Sequence, residues 1–189
     1  MTAIAVALTP DFADWECALL MAVARSYLGV TIKTATVDGA PVTSMGGLHV
    51  SPDLAFADLH PKEFDAVVVP GGLAWEKNMV PDALEALVQR FRDEKKMTAG
   101  ICAAASMLAG AGLLNDLKHT GNRLGSHQDY PGYSGSEHYV EGPHAVHADG
   151  VVTAAGTAPF TFTVEVLKGL GLWNDTAEEE LAPFAAEHR

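Results

Sequence analysis

Apolar residues run along the chain in two rhythms. Ala3–Leu8 is a short unbroken apolar stretch that reads as a strand covered on both faces, and Val30–Val37, Asp65–Val69, Met97–Cys102 and Val151–Ala154 also read as strands. Between them the spacing lengthens to three and four. Cys17, Leu20, Met21, Ala24 and Leu28 mark a helix over Asp14–Tyr27, with Asp14 placed to cap it and Gly29 to end it. Pro81–Glu94 is amphipathic with Pro81 in its first turn, and Ala103–Leu114 is a helix of small residues. Phe160–Leu170 is another helix. Thr176–His188 forms a last, acidic one, with Glu178–Glu180 where the helix dipole favours negative charge. Turn signals at Asp38-Gly39, Gly46-Gly47 and Ser51-Pro52 predict a small hairpin or arm within Pro41–Asp58, and Asn115–Gly150 reads as loops with short strands. Strands alternating with helices predict an α/β fold with a mostly parallel sheet between two helical layers. At ~150 residues per domain, the 189 residues make one domain, 1–189, with the acidic helix inside 176–189.

Charge narrows the partners. The chain carries 24 acidic and 12 basic side chains, a net −12, and its nearest basic cluster (Arg90, Arg92, Lys95, Lys96) is interleaved with Asp93 and Glu94. Nucleic acid needs clustered cations to displace counterions, so it is excluded as a partner. Met97–Asn115 has no charged side chain, but it is mostly Gly, Ala and Ser and reads as a buried strand running into a buried helix, not a membrane span. Two cysteines, Cys17 and Cys102, suit a reducing compartment. The opening MTAIAVALTPDFADWE has no basic n-region and no small-residue cleavage site, so a soluble cytoplasmic protein is expected.

Function in parallel α/β sheets gathers beyond the carboxyl ends of the strands. Cys102 stands there, where strand turns to helix between Gly100 and Ala103–Ala105. Small neighbours permit the tight geometry of a nucleophile elbow, and free N–H groups at the helix start favour thiolate over thiol. Elsewhere such a cysteine is a buried small hydrophobe. The Pro70-Gly71-Gly72 turn lets backbone N–H groups approach a bound oxygen, so Gly72 can join the Ala103 N–H as an oxyanion hole. Glu16 lies in the first turn of the helix after the first strand. There it is either a dipole-stabilised carboxylate or, desolvated by its neighbours, a protonated carboxyl able to hydrogen-bond a thiolate.

Taken in order over residues 3–172, Asp14-Trp15-Glu16, Pro70-Gly71-Gly72, Gly100-Ile101-Cys102-Ala103-Ala104 and the late Ala155-Gly156-Thr157-Ala158 turn resemble the ThiJ/PfpI superfamily. That group includes the parkinsonism-associated deglycase, PfpI-type proteases and isocyanide hydratases. It is related to the class I glutamine amidotransferases. The resemblance implies a flavodoxin-like three-layer sandwich and a homodimer. It also implies that Cys102 is the reactive cysteine, that Glu16 is its conjugate acid, and that Gly72 and Ala103 supply backbone N–H groups.

Departures from that pattern shape the functional expectation. PfpI-type members carry a His directly after the cysteine, where this chain has Ala103, so Glu76 has no imidazole to orient. Deglycase-type members carry a His after the elbow helix, a place held here by Gly121 or Asn122. None of the eight histidines has a Glu two residues on, as the amidotransferases require. His119, His127, His138, His144 and His147 lack metal-site spacing, and whether His119, His127 or His138 folds back to Cys102 stays open. No dinucleotide or phosphate-cradling motif is present, so no cofactor is expected. The expected function is a cysteine-dependent hydrolase or hydratase/lyase acting on a small electrophilic substrate, with Trp15 and Trp75 walling its pocket. The alternative is a cysteine-based oxidative-stress sensor without turnover. PfpI-type proteolysis is not expected, because an amine leaving group needs an acid that is missing.

Overall fold

Alternation within each strand decides which helical layer it meets. On β1 (Ala3–Ala7), Ile4 and Val6 face one side while Ala5 and Ala7 face the other. On β6 (Ala66–Val69), Val68 joins the first side, Val67 and Val69 the second. This is the period-2 rule applied to strands that are apolar on both faces. The computed structural model describes residues 1–77 and 81–186. Its elements in chain order are β1, α1 (Asp14–Tyr27), β2 (Thr31–Thr36), β3 (Val42–Thr43), β4 (His49–Val50), β5 (Leu54–Ala55), β6, α2 (Asp82–Asp93), β7 (Met97–Ile101), α3 (Ala103–Gly110), α4 (Leu124–Gln128), β8 (Val146–Ala148), β9 (Val151–Ala154), α5 (Pro159–Gly169) and α6 (Asp175–Ala186).

Seven strands form one sheet in the order β5-β2-β1-β6-β7-β9-β8, parallel except for the β8–β9 pair. Cys17, Leu20 and Val23 of α1, Phe162 and Leu167 of α5 and Leu181 of α6 cover one face. Leu84, Leu87 and Phe91 of α2 and Ala104 and Leu108 of α3 cover the other. The result is the expected flavodoxin-like sandwich. Because the chain moves outward from β1 to β2 and then reverses to β6, β7 and β9, the sheet has a switch point between β1 and β6. Open α/β sheets leave a crevice at such a point, beyond the strands' carboxyl ends. Among the described residues no helix is long and apolar enough to cross a membrane.

The structure differs from the sequence pattern in several places. The helix expected over Ala103–Leu114 stops at Gly110, and the turn is closed by Ala111 N–H on the Met107 carbonyl. The segment 41–58 forms the expected hairpin, β3 with β4, but also β5, which extends the main sheet beside β2. The last helix carries Pro183 inside it, and the expected end of that helix, 187–189, lies outside the described residues.

Asp14 does not cap α1. The cap position is Ala13, and the Asp14 carboxylate turns outward to the hairpin, accepting from the Ser44 hydroxyl and from Gly46 N–H at 2.7 Å. Burial pushes the Asp14 pKa up, but the Ser44 and Gly46 donors outweigh it and hold the carboxyl below its ordinary value. A depressed pKa contributes stability above the unfolded value, which is lost as pH falls through the folded one. Asp14→Ala is therefore expected to loosen the arm by about 1.5 kcal/mol, the low end for a bond to a charged group, since Asp14 is partly exposed. The Gly46 amide shift should report it. In the wild type that shift should change only below the ordinary aspartate range, and in the variant it should be pH-independent.

Candidate functional site

Four strands deliver the site from their carboxyl ends. β1 leads into α1 and Glu16, β6 into Gly71 and Gly72, β7 into Cys102, and β9 into Gly156. The sequence places Cys102 at the turn with no room for a relaxed backbone. Its φ of 62° and ψ of −129° lie where a non-glycine residue is strained, typically by about 1–3 kcal/mol. The conformation is held by Cys102 N–H on the Ala154 carbonyl at 2.9 Å and by Ala105 N–H on the Cys102 carbonyl at 3.1 Å. This is the expected elbow. It sets the sulfur at the first turn of α3, where the Ala103 N–H hydrogen-bonds it and favours its charged form.

Glu16 is 1 % exposed on the buried side of α1. Its Oε2 accepts from Gly71 N–H at 2.6 Å. Its Oε1 is enclosed and takes no geometrically sound hydrogen bond among the described residues. The group facing that oxygen is the Cys102 thiol. Gly156 packs against both, and a Cβ built on it would stand 2.8 Å from Oε1 and 3.0 Å from Sγ. Burial is the main reason the Glu16 pKa rises to about 7, against the pull of the Gly71 N–H and of Cys102. The carboxyl is therefore largely protonated just below neutrality. Its free oxygen then has one acceptor to serve, the sulfur.

Cys102 itself is pushed up, first by burial and then by the negative charge on Glu16. The sequence predicts a thiolate favoured by the helix start. The structure corrects this in part: burial and the charge of an ionised Glu16 hold the thiol up, so the thiolate forms most readily beside a protonated Glu16. Two donors work toward that state, Ala103 N–H and the side chain of Asn122. Asn122 Nδ2 lies 3.2 Å from Sγ, and its Oδ1 accepts from Gly156 N–H at 2.9 Å. Because the Gly156 group that faces Asn122 is an N–H, the amide oxygen must face it and the NH₂ must face the sulfur.

Of the expected site residues, Cys102, Glu16 and Ala103 come together at one point, with Gly71 beside them. The N–H that bonds the Glu16 carboxyl belongs to Gly71, next to the Gly72 expected as an oxyanion donor. The two bonds joining this loop to the β1–α1 connection run from Ala13 N–H to Gly71 O and from Leu73 N–H to Asp11 O, and neither uses the Gly72 N–H. Trp15 donates from Nε1 to the Gly156 carbonyl at 3.0 Å and is half exposed over the site, whereas Trp75 packs against the α2–α3 core. A cavity of about 430 Å³ opens beside the Gly156 turn, lined by His144, Thr157, Ala158, Pro159 and Thr161.

No hydrogen bond joins Cys102 to a histidine among the described residues. His119 is committed to the Leu117 carbonyl and Tyr133 hydroxyl, and His127 to Ser106 and the Thr120 carbonyl. His138 lies 3.6 Å from Glu137. Among the described residues no cluster of three or more His, Cys, Asp or Glu could hold a metal ion. Cys17, one residue from Glu16, is buried, and its thiol is raised to about 12 by burial and by the Glu16 and Asp14 charges. It is inert. The residue missed by sequence reasoning is Asn122. Its signal was its place where deglycase-type members carry a His.

Known proteins share this arrangement of chain. A DJ-1 superfamily protein from Agrobacterium tumefaciens, Atu0886, superposes with a TM-score of 0.97 over all of both chains at 61 % identity. The uncharacterized protease YoaZ of Bacillus subtilis is 34 % identical over 175 residues, 85 % of this chain and 79 % of that protein. The deglycase PH1704 of Pyrococcus horikoshii is 33 % identical over 92 residues, 49 % of this chain and 55 % of that one. The sequence model of the DJ-1/PfpI family matches residues 2–169, and with the fold and the elbow cysteine in place this chain belongs to that family.

Proposed function

We propose that this chain is a cysteine-dependent enzyme that adds the Cys102 sulfur to a small electrophilic carbon, such as that of an aldehyde or an isocyanide. One observation carries the reading: the buried Glu16 has one oxygen fixed by Gly71 and the other enclosed beside the thiol with no other partner. With an aldehyde, the thiolate forms the S–C bond while the carbonyl π pair moves to oxygen. The Ala103 and Gly72 N–H groups receive the developing charge, and Glu16 delivers its proton to that oxygen. The adduct is a neutral hemithioacetal and Glu16 is left as carboxylate; with an isocyanide the corresponding adduct is a thioimidate, which water cleaves to the formamide as the sulfur leaves as thiolate and Glu16 recovers its proton.

Asn122 supports this over the protease named among the relatives. An amide stabilises a thiolate but cannot hand a proton to a departing amine. The two free cysteines fit a reducing compartment, and we place the protein in the cytoplasm. A second copy of the chain is the proposed partner. An apolar cavity of about 450 Å³ between α1 (Ala18, Met21, Ala22) and the hairpin (Leu48, Val50), with Leu48 60 % exposed, offers the kind of surface a homodimer buries. The reading of Cys102 as an oxidation sensor is supported by the same donors around a half-buried sulfur, since they would also hold added oxygen atoms.

Turnover of a panel of small aldehydes and isocyanides by the wild type and by Cys102→Ser decides between them. The enzyme reading predicts a fall of at least about 10³-fold in the variant. Equal turnover in both would refute it. No turnover at all, with mild peroxide adding oxygen to Cys102 in the intact mass, would establish the sensor instead.

A further inference from the structure

Asn122 comes from a loop without secondary structure, yet its amide must be held within a few tenths of an ångström to serve the sulfur. The segment before it is pinned peptide by peptide. Thr120 N–H donates to the Thr153 hydroxyl of β9 at 2.8 Å, the Gly121 carbonyl accepts from the Tyr139 hydroxyl at 3.2 Å, and the Thr120 carbonyl accepts from His127 Nε2 at 3.3 Å. The last bond fixes the tautomer, because a carbonyl can only accept. His127 Nδ1 is then an acceptor, and it takes the Ser106 hydroxyl at 3.0 Å. Ser106 sits on α3, four residues and one turn after Cys102.

The imidazole therefore spans the helix that carries the nucleophile and the loop that carries its amide partner. Its face also shapes the chain path: a Cβ on Gly121 would fall 2.5 Å from His127 Cε1. Behind it, His119 stacks at 5.5 Å with the rings 29° apart, its own nitrogens bound to Leu117 O and Tyr133 Oη, and the edges of Tyr133 and Tyr139 close the sides.

We propose that His127 is a positioning residue for Cys102: by bonding Ser106 on α3 and the Thr120 carbonyl at once, it sets helix and loop in the register that puts Asn122 Nδ2 against the sulfur. This inference rests on the proposed reading in which Asn122 stabilises the Cys102 thiolate. A phenylalanine would fill the same volume without desolvating two nitrogens, so packing alone does not account for a histidine that is fully buried. Burial also lowers the His127 pKa to about 4, which keeps the ring neutral near pH 7. A neutral ring offers the one donor and one acceptor that the clamp requires.

The test is the pH dependence of Cys102 alkylation by iodoacetamide, read at the Cys102 peptide by mass spectrometry. Asn122→Ala is expected to slow the reaction at pH 7 about tenfold and move its midpoint upward, as loss of a hydrogen bond to a charged group would. His127→Phe should shift the curve in the same direction by at least threefold in rate. His127→Gln, which can keep a donor toward Thr120 and an acceptor toward Ser106, should return it to within about twofold of wild type. A wild-type curve for a folded His127→Phe, beside a shifted Asn122→Ala, would overturn the clamp and leave the role of Asn122 standing. An unshifted Asn122→Ala would overturn both. If His127→Phe fails to fold, Ser106→Ala cuts only the helix end of the clamp, and the same criterion applies to it.

Discussion

Glu16→Gln is expected to lower turnover by about 10²–10⁴-fold, the usual contribution of a positioned general acid, while making the protein lose less stability as pH rises. Both effects follow from one carboxyl. The Gln carbonyl can accept from Gly71 N–H as Oε2 does now, leaving the NH₂ toward the sulfur. The thiolate keeps a donor, but no transferable proton remains. The stability effect has a definite sign. Burial raises the folded pKa of Glu16 from its ordinary 4.5 to about 7, so between those values the folded state binds more protons than the unfolded one. Stability then falls as pH rises from 4.5 through about 7 and stays lower above it. The variant lacks this decline. The gap between the melts of the two proteins should be larger at pH 8 than at pH 5, moving in the variant's favour as pH rises. A second readout is the thiol titration by absorbance. The wild type should lose the two protons of the pair in separate steps, and the variant should show one. Unchanged turnover, or parallel melting at both pH values, would remove Glu16 from the chemistry.

Much of this site was legible because it follows from local rules. A cysteine between a buried strand and a run of Ala residues has one conformation available, and the strand order puts the loops after β1, β6, β7 and β9 together at one end. Glu16 was legible only as a choice between dipole and desolvation. Its 1 % exposure decides for desolvation, against the Gly71 N–H that favours the ionised form, and that burial is a tertiary fact that a first-turn position does not encode. Asp14 misled for the same reason. An acidic residue before a helix reads as a cap, and only the hairpin 30 residues away supplies Ser44 as the competing donor. Asn122 and His127 were least legible, since the loop that holds them has no hydrophobic period and its contacts run to α3, β9 and Gly156. Polar networks of that kind are set by three-dimensional satisfaction of donors and acceptors, not by spacing along the chain.

Gly72→Ala should have the largest effect on stability, a loss of about 3 kcal/mol or more. Two costs coincide at this residue. Its φ of 148° is one that L side chains rarely adopt, a strain of about 1–3 kcal/mol. A Cβ there would also meet the Asp11 carbonyl at 2.2 Å and Phe12 Cα at 2.7 Å, both backbone atoms that cannot rotate away, and overpacking adds about 1–3 kcal/mol. For a chain of this length the sum lowers the melting temperature by roughly 6–12 °C. Gly29→Ala is the control. Its φ is 66° with nothing within 4 Å of the added carbon, so it carries strain without a clash and should melt well above Gly72→Ala. The damage should also reach the chemistry. Relief of the clash moves the β1–α1 loop away from the β6 turn, and that turn is where Gly71 N–H holds Glu16 at 2.6 Å. With the N–H withdrawn, the carboxyl loses the donor that favours its ionised form, and its pKa should climb above about 7. Gly72→Ala should therefore shift the low-pH step of the Cys102–Glu16 titration upward, while Gly29→Ala leaves it in place. A stable Gly72→Ala protein with a wild-type titration would mean that the turn adjusts freely and that Glu16 owes its place to α1 alone.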